Sequence, residues 1–145
     1  MMRIVIACMI LTFLGLASTE CLSAKSTGPN KPFPLGDYRY SGYDKGGAKI
    51  VEGTISITSR KSNHISGRWE LKSIGNVEKI SFQVGKGRFE GEIKEDNVTI
   101  NLNPKVRDAN LFLRGKIAKT RFHGEWSFSS IRGVVDRGTF EAIKK

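Results

Sequence analysis

From Gly36 to the C terminus, apolar and polar residues alternate with a period of two. Val51-Glu-Gly-Thr-Ile55-Ser-Ile57, Ile65-Ser-Gly-Arg-Trp69-Glu-Leu71 and Phe89-Glu-Gly-Glu-Ile93 each place apolar residues or glycine on one face. That is the mark of half-buried strands. Leu111-Phe-Leu113-Arg-Gly-Lys-Ile117 and Phe122-His-Gly-Glu-Trp126-Ser-Phe128 repeat it, and Gly138-Thr-Phe140-Glu-Ala142 ends the series. Turn-forming residues separate these runs at Asp44–Gly47, Ser59–Asn63, Ile74–Asn76, Gly85–Gly87, Glu95–Asn97, Lys119–Arg121 and Ser129–Gly133. Nearly all are short enough for hairpins, and one connection, Asn103–Asn110, is longer. No stretch keeps a period of 3.6. The pattern predicts an all-β fold, a single antiparallel up-and-down meander of eight or nine strands.

A motif of apolar, any, Gly, any, apolar recurs around Gly53, Gly67, Gly91, Gly115 and Gly124, and in part around Gly138. Positions two apart share a face, so these glycines point inward with the apolar residues. An inward glycine lets a strand coil sharply or accept a neighbour's ring where its Cβ would sit. Such spacing predicts a small closed barrel rather than a flat sandwich. Parity puts Ile80, Phe82 and Val84 on the inner face beside Val51, Ile55, Leu111 and Leu113. Arg68, Glu70, Arg88, Glu90, Glu92, Arg114 and His123 fall outside.

Residues 1–24 read differently. Arg3 opens the chain, Ile4–Leu16 is apolar and uncharged, and small residues follow to Ala24. This is the plan of a cleaved secretory signal peptide, and the apolar run is short of the roughly 20 residues that span a bilayer. A secreted or periplasmic protein with no transmembrane segment is expected. Cys21 lies at a depth suited to lipidation, but the preceding Glu20 fits a lipobox poorly. Residues 25–35 hold three of the four prolines and read as a tether, leaving 36–145 as the barrel domain.

Charge and chemistry narrow the functions. Loss of residues 1–24 removes one base, Arg3, and one acid, Glu20, so the net charge stays at +10. That surface favours anionic partners, although the bases are scattered and no nucleic-acid motif accompanies them. Both cysteines lie in the leader, which leaves the mature chain without thiol chemistry. His64 and His123 lack a third metal ligand at useful spacing. No nucleophile elbow, phosphate loop or zinc-protease motif is present. The expectation is a non-enzyme with no catalytic residue, metal or cofactor.

Two readings of function stand. In one, the barrel holds a small apolar or amphipathic ligand against Trp69, Trp126, Phe89, Phe122 and Phe128, with Tyr38 and Tyr40 near the mouth. An eight-stranded barrel is just wide enough to be filled by its side chains or to hold one such ligand. In the other, loops and the basic exterior bind a macromolecule, an anionic envelope polymer or a protein, with Lys105 and Arg107 of the long connection as the contact surface.

The signal-like leader, the single meander and the repeated Gly-x-Trp and Gly-x-aromatic strands together resemble the calycin-like group of lipocalins, avidins and small exported bacterial barrels. Gly42-Tyr43-Asp44, Ile100-Asn-Leu-Asn-Pro104 and Gly138-Thr-Phe-Glu-Ala142 are the segments most similar to the last of these. The resemblance covers residues 36–145 and implies a barrel with an affinity for small ligands. The first strand reads Gly36-Asp-Tyr38 where lipocalins carry Gly-x-Trp, and two tryptophans are fewer than avidins use, so no binding residue is carried over.

Overall fold

The computed structural model describes residues 34–75 and 82–145. The predicted signal peptide, residues 25–33 of the tether and Ile80 lie outside the described residues. Eight strands follow one another: β1 Gly36–Tyr43, β2 Lys49–Lys61, β3 His64–Ser73, β4 Gly85–Lys94, β5 Asn97–Asn101, β6 Ala109–Ala118, β7 Arg121–Ser130 and β8 Gly133–Lys144. Each pairs antiparallel with the next, and β8 returns to β1 from Tyr38↔Lys144 to Tyr43↔Thr139. The result is a closed up-and-down barrel, compatible with the calycin-like fold that the sequence resembles. Among the described residues no helix is long and apolar enough to cross a membrane.

The alternation does its predicted work. Val51, Ile55, Ile65, Leu71, Ile93, Ile100, Leu111 and Leu113 are all buried, as are both tryptophans. Two of the motif glycines accept rings as expected. A Cβ on Gly67 would lie 2.8 Å from Cε1 of Phe89, and one on Gly138 would lie 2.6 Å from Nε1 of Trp126. No side chain fits beneath either ring, so glycine there sets how closely the walls approach.

One stretch departs from the pattern. Phe82 and Val84, assigned inward by parity, are 46% and 37% exposed, and Gln83 between them is fully buried. Residues 82–84 are turn and coil rather than strand, so parity has no meaning there. The expected turn at Gly85–Gly87 instead forms the start of β4, which pairs with Leu71–Trp69 of β3.

The strand directions give the barrel two unlike ends. At one, which we call the closed end, β2–β3, β4–β5 and β6–β7 are joined by the two-residue turns Ser62-Asn63, Glu95-Asp96 and Lys119-Thr120. At the opposite, open end lie the connections 44–48, 102–108 and 131–132, with residues 74–75 and 82–84 between β3 and β4.

Candidate functional site

The aromatic residues expected to wall a ligand pocket converge, but on one another. Tyr38 meets Phe122 edge-on at 5.4 Å between ring centroids, Phe122 meets Phe140 at 5.7 Å, and Tyr40 stacks on Phe140 at 5.8 Å. A side chain lining a water-sized void keeps accessible surface, yet Tyr38, Tyr40, Phe122 and Trp126 keep none. Phe89 and Trp69 retain only 1% and 6%. Phe128 sits higher, half-buried, and stacks with Phe82 at 4.0 Å and 1° at the open end. The two indoles are tied towards the open end: Nε1 of Trp69 donates to Leu102 O in the β5–β6 connection and that of Trp126 to Tyr43 O at the end of β1, both at 2.7 Å.

Tyr38 and Tyr40 share the inner face of β1 but send their hydroxyls towards opposite ends. Tyr38 donates to Pro34 O at 2.6 Å near the closed end. Tyr40 donates to Oε1 of Gln83, which reaches into the barrel from the open end. Burial pushes the Tyr38 phenol up to about 12 and that of Tyr40 well above the ordinary value, because a phenolate loses its hydration inside the core. Gln83 is the buried polar group that sequence reasoning missed. Flanked by Ile80, Phe82 and Val84, it reads as the outward member of a strand.

A second constellation lies on the outer wall. β5 is only five residues long and pairs with the Glu90–Lys94 half of β4 alone, from Glu90↔Asn101 to Lys94↔Asn97. Among the described residues the Gly85–Phe89 half therefore has no strand on that side, and residues 102–106 of the β5–β6 connection face it across a notch. This notch, of about 700 Å³, is lined by Thr58, Ser66, Arg68, Arg88, Asn103 and Lys105 among others. It shares Arg68, Gly87 and Arg88 with a neighbouring depression, which in turn shares Thr54, Glu70 and Lys86 with a third. Together they form one open furrow across β2, β3 and β4.

The furrow is rich in uncommitted positive charge. Arg68 and Arg88 stand directly opposite each other in the β3–β4 register, a like-charge pairing that works against the sheet. Neither belongs to any of the ion pairs among the described residues, and Lys86 and Lys105 are likewise outside them. Lys72, by contrast, is held 3.2 Å from Glu52, whose other oxygen is 3.1 Å from Lys49. Those two hydrogen bonds hold the Glu52 carboxyl below its ordinary range. The acids of the furrow, Glu70 and Glu90, are fewer than its free bases.

Lys105 is presented by a connection that asparagines shape. Asn101 Oδ1 accepts from Asn103 N at 2.9 Å, Asn101 Nδ2 donates to Asn110 Oδ1 at 3.0 Å, and Asn110 Nδ2 donates to Arg107 O at 3.1 Å. Side-chain amides thus replace backbone partners in the turn. The segment Ile100-Asn-Leu-Asn-Pro104, noted in the sequence only as a resemblance, owes its asparagines to this function. The structure brings Lys105 to the furrow with Arg68 and Arg88, and places Arg107 on the same connection. Among the described residues no three His, Cys, Asp or Glu side chains cluster to hold a metal. No protein-family model and no curated protein matches the chain in sequence.

Proposed function

We propose that this chain is an exported binding protein that engages an anionic macromolecule, an acidic polymer, along the furrow over β2, β3 and β4. The observation that carries this is the facing pair Arg68 and Arg88 beside the notch where β5 stops short, with Lys105 on its far wall. Two arginines set opposite each other in the sheet, neither of them in an ion pair among the described residues, cost stability in the free protein, and carboxylate, sulfate or phosphate groups relieve that cost on binding. An open furrow rather than a closed pocket suits an extended chain. Export rests on the leader at residues 1–24 and is part of the proposal. The calycin-like resemblance also supports a small apolar ligand inside the barrel. That reading requires Trp126, Tyr40 and Phe122 to give up packing that leaves them no accessible surface, so we place the function on the outer wall.

The test is retention of the protein on immobilised dextran sulfate as salt is raised. Arg68→Ala with Arg88→Ala, and separately Lys105→Ala with Arg107→Ala, should elute at clearly lower salt than the parent. Lys119→Ala with Arg121→Ala, which removes the same charge at the closed end, should shift elution much less. Equal shifts for all three pairs would reduce the effect to net charge and defeat the proposal.

A further inference from the structure

The exposed apolar residues are distributed very unevenly. Among the described residues, Phe82, Val84, Val106, Ile131, Val134 and Val135 all belong to the open end, whereas the closed end exposes only Leu35 and Ile143. Ile131, at the tip of the β7–β8 hairpin, is 80% exposed, and Val134 and Val135 beside it are 63% and 50% exposed. Leaving several large aliphatic groups in water at separate tips of one face is unfavourable, and such clustering marks a contact surface.

Each apolar tip carries its own cations. Val106 stands between Lys105 and Arg107, Ile131 is followed by Arg132, and Val134-Val135 are followed by Asp136-Arg137. Of the acids nearby, Asp108 beside Arg107 is exposed and in no ion pair among the described residues, while Asp44 and Asp136 are engaged. Asp44 Oδ1 accepts from the amides of Gly46 and Ala48 at 2.8 and 2.9 Å. Asp136 accepts from the Arg137 amide at 2.8 Å and lies 3.9 Å from Lys45. Lys105, Arg107, Arg132 and Arg137 are in no ion pair among the described residues.

We propose that the open end docks on an anionic lipid bilayer surface. Ile131, Val134, Val135 and Val106 enter the boundary between headgroups and acyl chains, and the flanking cations meet lipid phosphates. Protruding apolar tips ringed by cations fit a soft layered surface, where each group finds its own depth. A spanning barrel is a different object, since a lipid-facing wall is an apolar band and this wall carries Arg68, Glu70, Arg88, Glu90, Arg114 and Lys116. The bilayer contact is therefore confined to one end. This inference rests on the apolar tips and not on the polymer furrow, although Lys105 and Arg107 serve both.

Co-sedimentation with vesicles of phosphatidylcholine, with and without phosphatidylglycerol, tests it. The parent should bind the phosphatidylglycerol vesicles and bind phosphatidylcholine alone far more weakly. Ile131→Asp should weaken that binding roughly tenfold or more, the loss expected when one buried aliphatic anchor is replaced by a charge, and should shift dextran sulfate elution no more than the Lys119→Ala, Arg121→Ala pair does. As a second readout, an Ile131→Trp variant should gain a blue-shifted emission component on adding these vesicles. Binding that survives Ile131→Asp but is lost in the Arg68→Ala, Arg88→Ala variant would overturn the proposal in favour of headgroup contacts in the furrow. Absence of vesicle binding, with a dimer in solution that Ile131→Asp dissociates, would overturn it in favour of a second copy. The β8 edge at residues 133–138 has no β1 partner and would be its seat.

Discussion

The closed and open ends of this barrel are built from the same strands by opposite means. At the closed end each two-residue turn begins with a non-glycine residue in the left-handed region: Ser62 at φ 54°, Glu95 at 56° and Lys119 at 55°. Each turn is then bound to the neighbouring hairpin. Asn63 O accepts from Ile93 N, Asp96 O from Ile117 N and Thr120 O from Lys144 N, at 2.7–2.8 Å. This end tolerates backbone strain in exchange for a hydrogen-bonded ring of short turns. Three of the four open-end connections are longer, the fourth being the two-residue turn 131–132; this end is tied to the core by single side chains, Trp69, Trp126 and Gln83, and leaves apolar groups in water. A rigid floor and a rim that is anchored but exposed is the arrangement expected when one end holds the fold and the other makes contacts.

The largest effect should come from removing a rim anchor. Trp126→Ala leaves a large cavity in the core at its open end and strips Tyr43 O of its donor, so urea unfolding should show a loss of about 3–5 kcal/mol. Trp126→Phe keeps most of the ring and loses the hydrogen bond, and should cost far less. If the two variants were equally unstable, the anchor would be the hydrogen bond rather than the packing.

Raising the pH acts on both ends at once through the tyrosines. In the unfolded chain each phenol releases its proton near pH 10, while in the folded protein Tyr38 holds its proton to about 12 and Tyr40 beyond the ordinary value. Above pH 10 the unfolded state therefore binds fewer protons, and stability falls as pH rises. The contribution of Tyr38 is intact below pH 10 and lost by about pH 12, on the order of 2–3 kcal/mol. Stopped-flow absorbance at 295 nm, roughly the phenolate band, should show that ionisation of these two groups coincides with unfolding.

Tyr40→Phe separates the ends. It deletes the donor to Gln83 and should cost about 1–3 kcal/mol, with amide exchange quickening around residues 82–84 while the closed-end amides of Ile93 and Ile117 stay protected. Uniform quickening would mean that the rim and the floor open as one unit.

The strand framework was legible in the sequence, the contrast between the two ends was not, and the reasons are physical. Alternation around Ile55, Trp69, Leu113 and Trp126 is a local property, so the strands and the inward glycines could be read directly. Phe82 and Val84 could not be placed, because parity assigns faces only inside a strand and the chain there is held by Gln83 reaching Tyr40, a contact forty-three residues away. The furrow was hidden for a different reason. Arg68 and Arg88 are each ordinary outward residues, and only the β3–β4 register sets them face to face. Lys105 and Arg107 could be singled out because a long connection between short ones is visible without any pairing. That the notch opens beside them follows from the shortness of β5, which depends on where its neighbours end.

The smallest expected effect bears on the floor. Lys119 is at the first position of the β6–β7 turn with φ at 55°, where a side chain costs about 1–2 kcal/mol and glycine costs almost nothing. Lys119→Gly removes that strain but gives the unfolded chain more freedom, which takes back about 0.5–1 kcal/mol. The net gain should be roughly 0.5 kcal/mol, read as a small upward shift in the urea midpoint at unchanged slope. Ser62→Gly and Glu95→Gly should behave alike, because the three turns share one geometry and one pattern of capping. A loss of stability in any of them would mean that the original side chain makes a contact worth more than the strain. The closed end would then be held by its turn residues individually rather than by the ring of backbone hydrogen bonds.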